Sequence, residues 1–133
     1  MRFMLDTNIV SAIMREPRGS PVRVAFDEVE AEDLCVSIVA AAELKFGLAH
    51  RPSTRLAQRL DELFELVKIL PFACPADQVY ADIRAHLARQ GTPIGPNDLF
   101  IAAHALALDL PLVTANIREF SRVPDLRVEN WLD

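Results

Sequence analysis

Phe3-Met4-Leu5-Asp6-Thr7-Asn8-Ile9-Val10 is the stretch whose reading decides the fold. Residues 2–5 form a short apolar run that stops at an acid. From Thr7 to about Glu16, Ile9, Val10, Ile13 and Met14 recur at helical spacing. A buried strand, a carboxylate and a helix therefore follow one another without a gap. The same alternation continues outward. Leu34-Cys35-Val36-Ser37 reads as a second buried strand, and the alanine-rich run Ile38 to Ala49 as a helix broken by Pro52. Ile69 to Phe72, Pro111 to Thr114 and Leu126 to Val128 read as three more strands. Residues 22–31 and a segment capped by Ser53, with Leu56, Leu60, Leu63, Phe64 and Val67 in one stripe, read as helices. So do a segment from Pro75 onward, carrying His86, and the run from Asn97 to Asp109, carrying His104; both histidines read as helix-face residues. Strands alternating with helices imply an α/β fold, a parallel sheet of four to five strands sandwiched by helices. With no linker or repeat, residues 1–133 are expected to form a single domain.

The composition fits an ordinary globular chain, with 51% apolar and 25% charged residues. A formal net charge of −5 argues against a generic basic coat for nucleic acid. The charge is uneven. Asp27, Glu28, Glu30, Glu32, Asp33 and Glu43 face one base, Arg23, between residues 19 and 43. Lys45, Arg51, Arg55 and Arg59 follow with no acid among them up to residue 60. Cys35 and Cys74 are too few for a disulfide framework and are expected to be buried free thiols. No run approaches the roughly 18 apolar residues of a membrane span. A cytoplasmic protein with no membrane association is expected.

Three acids occupy telling positions. Asp6 follows the first strand, at the rim where open α/β sheets bind ligands; an N-cap would place an acid there too. Glu43 lies mid-helix among small apolar residues, where an unpaired carboxylate is costly; an exposed helix face is the alternative. Asp98 is the only acid in a run that is otherwise almost wholly apolar through Leu108, and it lies in the first helical turn, where a helix dipole also favours an acid. Three carboxylates at one rim suit Mg²⁺ or Mn²⁺ rather than zinc. The histidines show no metal-ligand spacing.

Read together, these residues resemble PIN-domain ribonucleases, and among them the VapC-type toxins of toxin–antitoxin pairs. Met4-Leu5-Asp6-Thr7-Asn8 is similar to the family's first motif. Ser37 with Ala41-Ala42-Glu43-Leu44-Lys45-Phe46-Gly47 is similar to the second, and Ile94 to Ala105 to the third. Val113-Thr114-Ala115-Asn116-Ile117-Arg118-Glu119-Phe120, then Val123-Pro124 and Trp131, resembles its ending. The resemblance implies a metal-dependent endoribonuclease with Asp6, Glu43 and Asp98 as catalytic and Mg²⁺-holding residues, Mn²⁺ being an alternative. Thr7, Asn8 and Ser37 would support them. Many relatives carry a fourth acid where this chain has Asn116. Either Asn116 supplies a neutral oxygen, or Glu119 supplies the charge, or the two form a reciprocal helix cap.

Lys45, Arg51, Arg55, Arg59, Arg118 and Arg122 are the expected RNA-binding bases. Aromatic residues make up only 7%, which favours structured RNA loops over an open stacking platform; the resemblance implies that these are loops of tRNA or rRNA. The resemblance further implies a VapB-type antitoxin that inhibits the enzyme, and a homodimer. The stripe around Leu56, Leu60, Leu63 and Phe64 could serve either contact or the core. The rivals are weaker. A receiver domain needs an acceptor Asp after the third strand and a late Lys, yet Ile69 to Phe72 has no Asp and no Lys follows Lys68. A dehalogenase-like phosphatase needs Asp where Asn8 stands. A non-catalytic module and a DNA nuclease of related fold remain as alternatives.

Overall fold

Five short strands are all parallel and lie in one sheet: β1 (Phe3–Leu5), β2 (Leu34–Ser37), β3 (Lys68–Leu70), β4 (Leu112–Val113) and β5 (Val128–Glu129). The computed structural model describes residues 1–133. Seven helices connect the strands: α1 (Thr7–Arg15), α2 (Pro21–Asp27), α3 (Ile38–His50), α4 (Thr54–Leu66), α5 (Ala76–Arg89), α6 (Pro96–Ala107) and α7 (Ile117–Phe120). A single 3-10 turn, Ala31–Asp33, precedes β2.

The strand order is β3-β2-β1-β4-β5. The chain winds outward from β1 to β3, crosses back, and adds β4 and β5 on the other side. Right-handed crossovers then place α5 and α6 on the face opposite α1 to α4. The reversal falls between β1 and β4, whose register pairs Met4 with Leu112 and Leu5 with Val113. Helices leave these neighbouring strands in opposite directions, which opens a crevice beyond their carboxyl ends. Asp6 and Thr114 are the residues at that crevice.

The three central strands, β2, β1 and β4, hold because they are dry on both faces, whereas the edge strands β3 and β5 are partly exposed. Met4, Leu5, Leu34, Cys35, Val36, Leu112 and Val113 are all buried in a single apolar cluster. Capping sets where the helices begin. Asp6 accepts from the Thr7 N–H at 2.8 Å to start α1, Ser37 from the Val39 N–H at 3.1 Å to start α3, and Ser53 from the Leu56 N–H at 3.2 Å to start α4.

Some expectations shift. The second helix ends at Asp27 rather than residue 31. The third strand is Lys68–Leu70, which leaves Phe72 beyond it, and the fifth is Val128–Glu129. The α4 stripe is core: Leu60 and Leu63 are buried, with Leu56 and Phe64 packed against the cluster. The exposed apolar residue of that helix is Leu66. Cys35 is buried, which pushes its thiol up to about 11, whereas Cys74 is exposed in the β3–α5 connection. The acids from Asp27 to Asp33 lie at the amino end of β2, the opposite end of the strand from Ser37.

Candidate active site

Burial of polar groups marks one end of the sheet. The only buried polar or charged residues are Asp6, Ser37, Thr114 and His104. Asp6 follows β1, Ser37 ends β2 and Thr114 follows β4. Each has its polar atom satisfied, as burial demands.

Asp6 is held rigidly. Its Oδ1 accepts the Thr7 N–H at 2.8 Å, and its Oδ2 accepts the Thr114 hydroxyl at 2.8 Å and the Asn8 amide at 3.3 Å. Asn8 itself is fixed, since its Oδ1 accepts the Ala115 N–H at 3.0 Å. Burial pushes the Asp6 carboxyl above its ordinary value; hydrogen bonds from Thr114 and Thr7 oppose this, and the charges of Glu43 and Glu119 add to it.

Glu43 reaches the same region from the second turn of α3. Its Oε1 accepts the Thr7 hydroxyl at 2.7 Å and its Oε2 the Asn97 amide at 3.2 Å. Thr7 therefore ties two carboxylates together, by its backbone to Asp6 and by its side chain to Glu43.

Asp98 stands in the first turn of α6. Its carboxyl is pushed up to about 7, mostly by burial and then by the charges of Asp6, Glu119 and Glu43. Glu119 comes from α7. Its Oε1 accepts the Gly95 N–H at 2.7 Å and its Oε2 the Asn116 amide at 2.5 Å. The Gly95 N–H is the main reason its carboxyl sits below the usual value. A Cβ on Gly95 would lie 3.5 Å from Asp98 Oδ2 and 3.7 Å from Glu119 Oε1, so both carboxylates gather over this glycine.

The structure thus brings Asp6, Glu43, Asp98 and Glu119 to one rim, with Thr7 and Asn8 bonded to them. Ser37 departs from its expected place. Its hydroxyl lies 2.7 Å from His104 Nδ1 and caps α3, and no carboxylate reaches it. His104 is correspondingly buried rather than on an open helix face, and desolvation lowers its pKa. Asn116 and Glu119 do not form a reciprocal cap, because Glu119 is drawn across to Gly95 and Asn116 makes no side-chain cap bond. Thr114 and Asn97 are contributors that sequence reasoning missed. Thr114 had a signal available, since it ends the strand beside β1.

None of the four carboxylates takes part in a salt bridge. No three of the His, Cys, Asp and Glu side chains converge into a ready coordination sphere. The donor set still fits Mg²⁺, which keeps several waters and needs only one or two direct carboxylates. Burial, the charges of the neighbouring acids and a hydrogen bond between the Asp98 and Glu119 carboxyls together raise the protonated fraction of Asp98.

A cleft of about 570 Å³ opens onto the site, lined by Asp6, Glu43 and Asp98 and, further along, by Arg15, His50 and Arg51. Of the expected bases only Arg51 lines it. Arg59 donates to the Met14 carbonyl, in a separate groove between α1, α2 and α4. Arg122 donates to the Pro93 carbonyl at 3.1 Å. Lys45, Arg55 and Arg118 are exposed and outside the cleft.

Residues 3–126 match the family model for the PIN domain. The chain is 39% identical over 133 residues to the tRNA(fMet)-specific endonuclease VapC of Shigella flexneri, covering 98% of each chain. It is 37% identical over 135 residues to ribonuclease VapC2 of Rickettsia felis, again covering 98% of each. Among solved structures it superposes on VapBC2 from Rickettsia felis bound to a promoter DNA fragment, with a TM-score of 0.88 at 33% identity, covering 98% of this chain and 99% of that one. DNA-bound VapBC from Salmonella typhimurium gives 0.85 at 35% identity, covering 98% of both. On its fold, its ordered motifs and these likenesses, the chain belongs to the PIN domain family, among the VapC-type ribonucleases.

Proposed function

We propose that this chain is a Mg²⁺-dependent endoribonuclease, the toxin of a VapBC-type pair, cutting structured RNA in tRNA or rRNA loops. Mn²⁺ fits the same oxygen donors. The observation that carries the reading is the crowding of Asp6, Glu43, Asp98 and Glu119 with no ion-paired base among them. Such a cluster is costly unless a cation neutralises it.

Bound Mg²⁺ supplies a nucleophilic water near neutral pH and a clamp on the phosphoryl oxygens. Asp6, immobilised by three hydrogen bonds, and Asp98, on the opposite helix start, are the carboxylates that hold it. Glu43 is aimed by Thr7 and Asn97. Glu119 takes the fourth position in place of Asn116, because Asn116 turns its amide toward Glu119 and so serves to orient it. Burial and the neighbouring acids raise the Asp98 carboxyl to about 7, so a cation held there would compete with a proton for it. In-line hydrolysis at this site leaves a 5′-phosphate and a 3′-hydroxyl.

A VapB-type antitoxin as inhibitor, a homodimer and a cytoplasmic location complete the proposal. The superposed VapBC complexes support the antitoxin partner, and the relatives' ribonuclease names support the activity. No helix is long and apolar enough to cross a membrane.

The test is expression of the wild type and Asp98→Asn in cells, with RNA ends mapped, and cleavage by purified protein with and without EDTA. Growth arrest and discrete, EDTA-sensitive cuts that vanish in the variant are expected. Equal toxicity of both proteins, or 2′,3′-cyclic phosphate ends, would overturn the reading.

A further inference from the structure

The clue is a glycine with no internal reason to be one. Gly47 sits in the interior of α3, has no positive φ, and a Cβ placed on it would meet nothing within 4 Å. A helix-interior glycine costs about 0.5–1 kcal/mol relative to alanine. Neither a turn nor close packing within the chain offsets that here. Gly47 does line the cleft that holds the carboxylates.

Its place along α3 is informative. Glu43, Gly47 and Arg51 are spaced four residues apart, so they form one stripe along the helix and its C-cap. The stripe runs from the acidic end of the cleft, across an open floor, to Arg51, whose backbone lies about 12 Å further along the axis. Arg15, from the last turn of α1, lines the cleft with Arg51. Its Nε bonds Ser11 Oγ at 3.1 Å, which directs the side chain without neutralising it. Neither arginine forms a salt bridge. The cleft is therefore bipolar, with anions at one end and cations at the other. That polarity suits a polyanion crossing it, one phosphate at a cation held by the acids and another phosphate at the arginines.

We propose that Gly47 is a clearance residue for RNA, and that Arg15 and Arg51 form a phosphate-binding subsite along the strand from the cleaved bond. This rests on the ribonuclease reading above. Phosphate contacts of this kind fix register rather than sequence.

The experiment uses the full chain and 3′-labelled bulk tRNA. Binding is read by fluorescence anisotropy in EDTA over a salt series, cleavage in Mg²⁺, and folding by thermal melts. The variants are Gly47→Ala, Gly47→Gln, the double variant Arg15→Gln/Arg51→Gln, and Arg89→Gln on α5 as a control cation. Gly47→Ala and Gly47→Gln are expected to melt at or above the wild-type temperature. Gly47→Gln is expected to weaken tRNA binding at least tenfold and raise KM more than it lowers kcat. The double arginine variant is expected to flatten the log–log salt slope by about 0.7 per cation lost, and Arg89→Gln to leave it unchanged. Wild-type affinity in Gly47→Gln, a lowered melting temperature, or an unchanged slope in the double variant would overturn the proposal. So would a loss confined to self-association or antitoxin binding, since the cleft would then receive protein. Variant-sensitive RNA binding by a wild-type chain that cuts nothing would instead overturn the ribonuclease reading and leave this subsite standing.

Discussion

Asp98 shows how much one side chain reports about its surroundings. Its carboxyl is raised to about 7 by burial and by three neighbouring carboxylates, against an ordinary value of 3.8. Between those two values the folded chain binds more protons than the unfolded one. Linkage then makes stability fall as pH rises. The stabilising protonation is complete below the ordinary carboxyl value and is lost as pH passes through about 7. Urea melts in EDTA are expected to show wild-type stability, relative to Asp98→Asn, declining between about pH 4 and pH 7 and levelling off above that. Glu119, lowered mainly by the Gly95 N–H, acts with the opposite sign and at lower pH, so it does not confound the measurement. A single residue's type and neighbours in sequence indicated that Asp98 mattered. The resemblance left Glu119 as one of two possible fourth positions; that it stands beside Asp98 was not legible locally, because the two meet over Gly95, and the Glu119–Gly95 bond spans 24 residues.

At the scale of elements, periodicity was the reliable guide. The α4 stripe reads as amphipathic, and Leu60 is 2% exposed while Leu66, off the stripe, is 60% exposed. Leu60→Ala is expected to destabilise the chain by about 2–5 kcal/mol through lost burial and a residual cavity. Leu66→Ala is expected to change stability by less than about 0.5 kcal/mol. Chemical denaturation of the two variants checks both; equal losses would contradict the assigned faces. Strand and helix order was legible for the same reason. What an element buries is written in its own spacing. The ends were less legible. Phe72 is apolar enough to continue β3, but the ladder with β2 stops where Ser37 turns into α3.

For the whole molecule, the decisive quantity is charge distribution rather than net charge. The total of −5 combines an acidic segment at the amino end of β2 with the carboxylate rim at the other end of the sheet. A divalent cation that binds the folded rim stabilises it by mass action, about 2.7 kcal/mol at a hundredfold excess over Kd. Mg²⁺ is expected to raise the melting temperature of the wild type, more at pH 8 than at pH 6, because Asp98 must first lose its proton. The shift is expected to disappear in an Asp6→Asn/Asp98→Asn variant. Thermal melts with Mg²⁺ against EDTA measure this, and an equal shift in wild type and variant would place the cation elsewhere.

The sequence by itself determined the alternation of strands and helices, the caps at Asp6 and Ser53, and three acids at strand and helix ends. Each of these depends on residues within a turn or two of one another. Only the tertiary structure decided that Thr114 donates to Asp6 across 108 residues, that Glu119 bonds the Gly95 N–H beside Asp98, and that Ser37 turns to His104. It also separated Arg51 and Arg15, which share the cleft, from Arg59, which is spent on the Met14 carbonyl. The physical reason is the same in each case. Local spacing states which face of an element is buried, whereas partner choice follows from strand order and register, which no short-range pattern encodes.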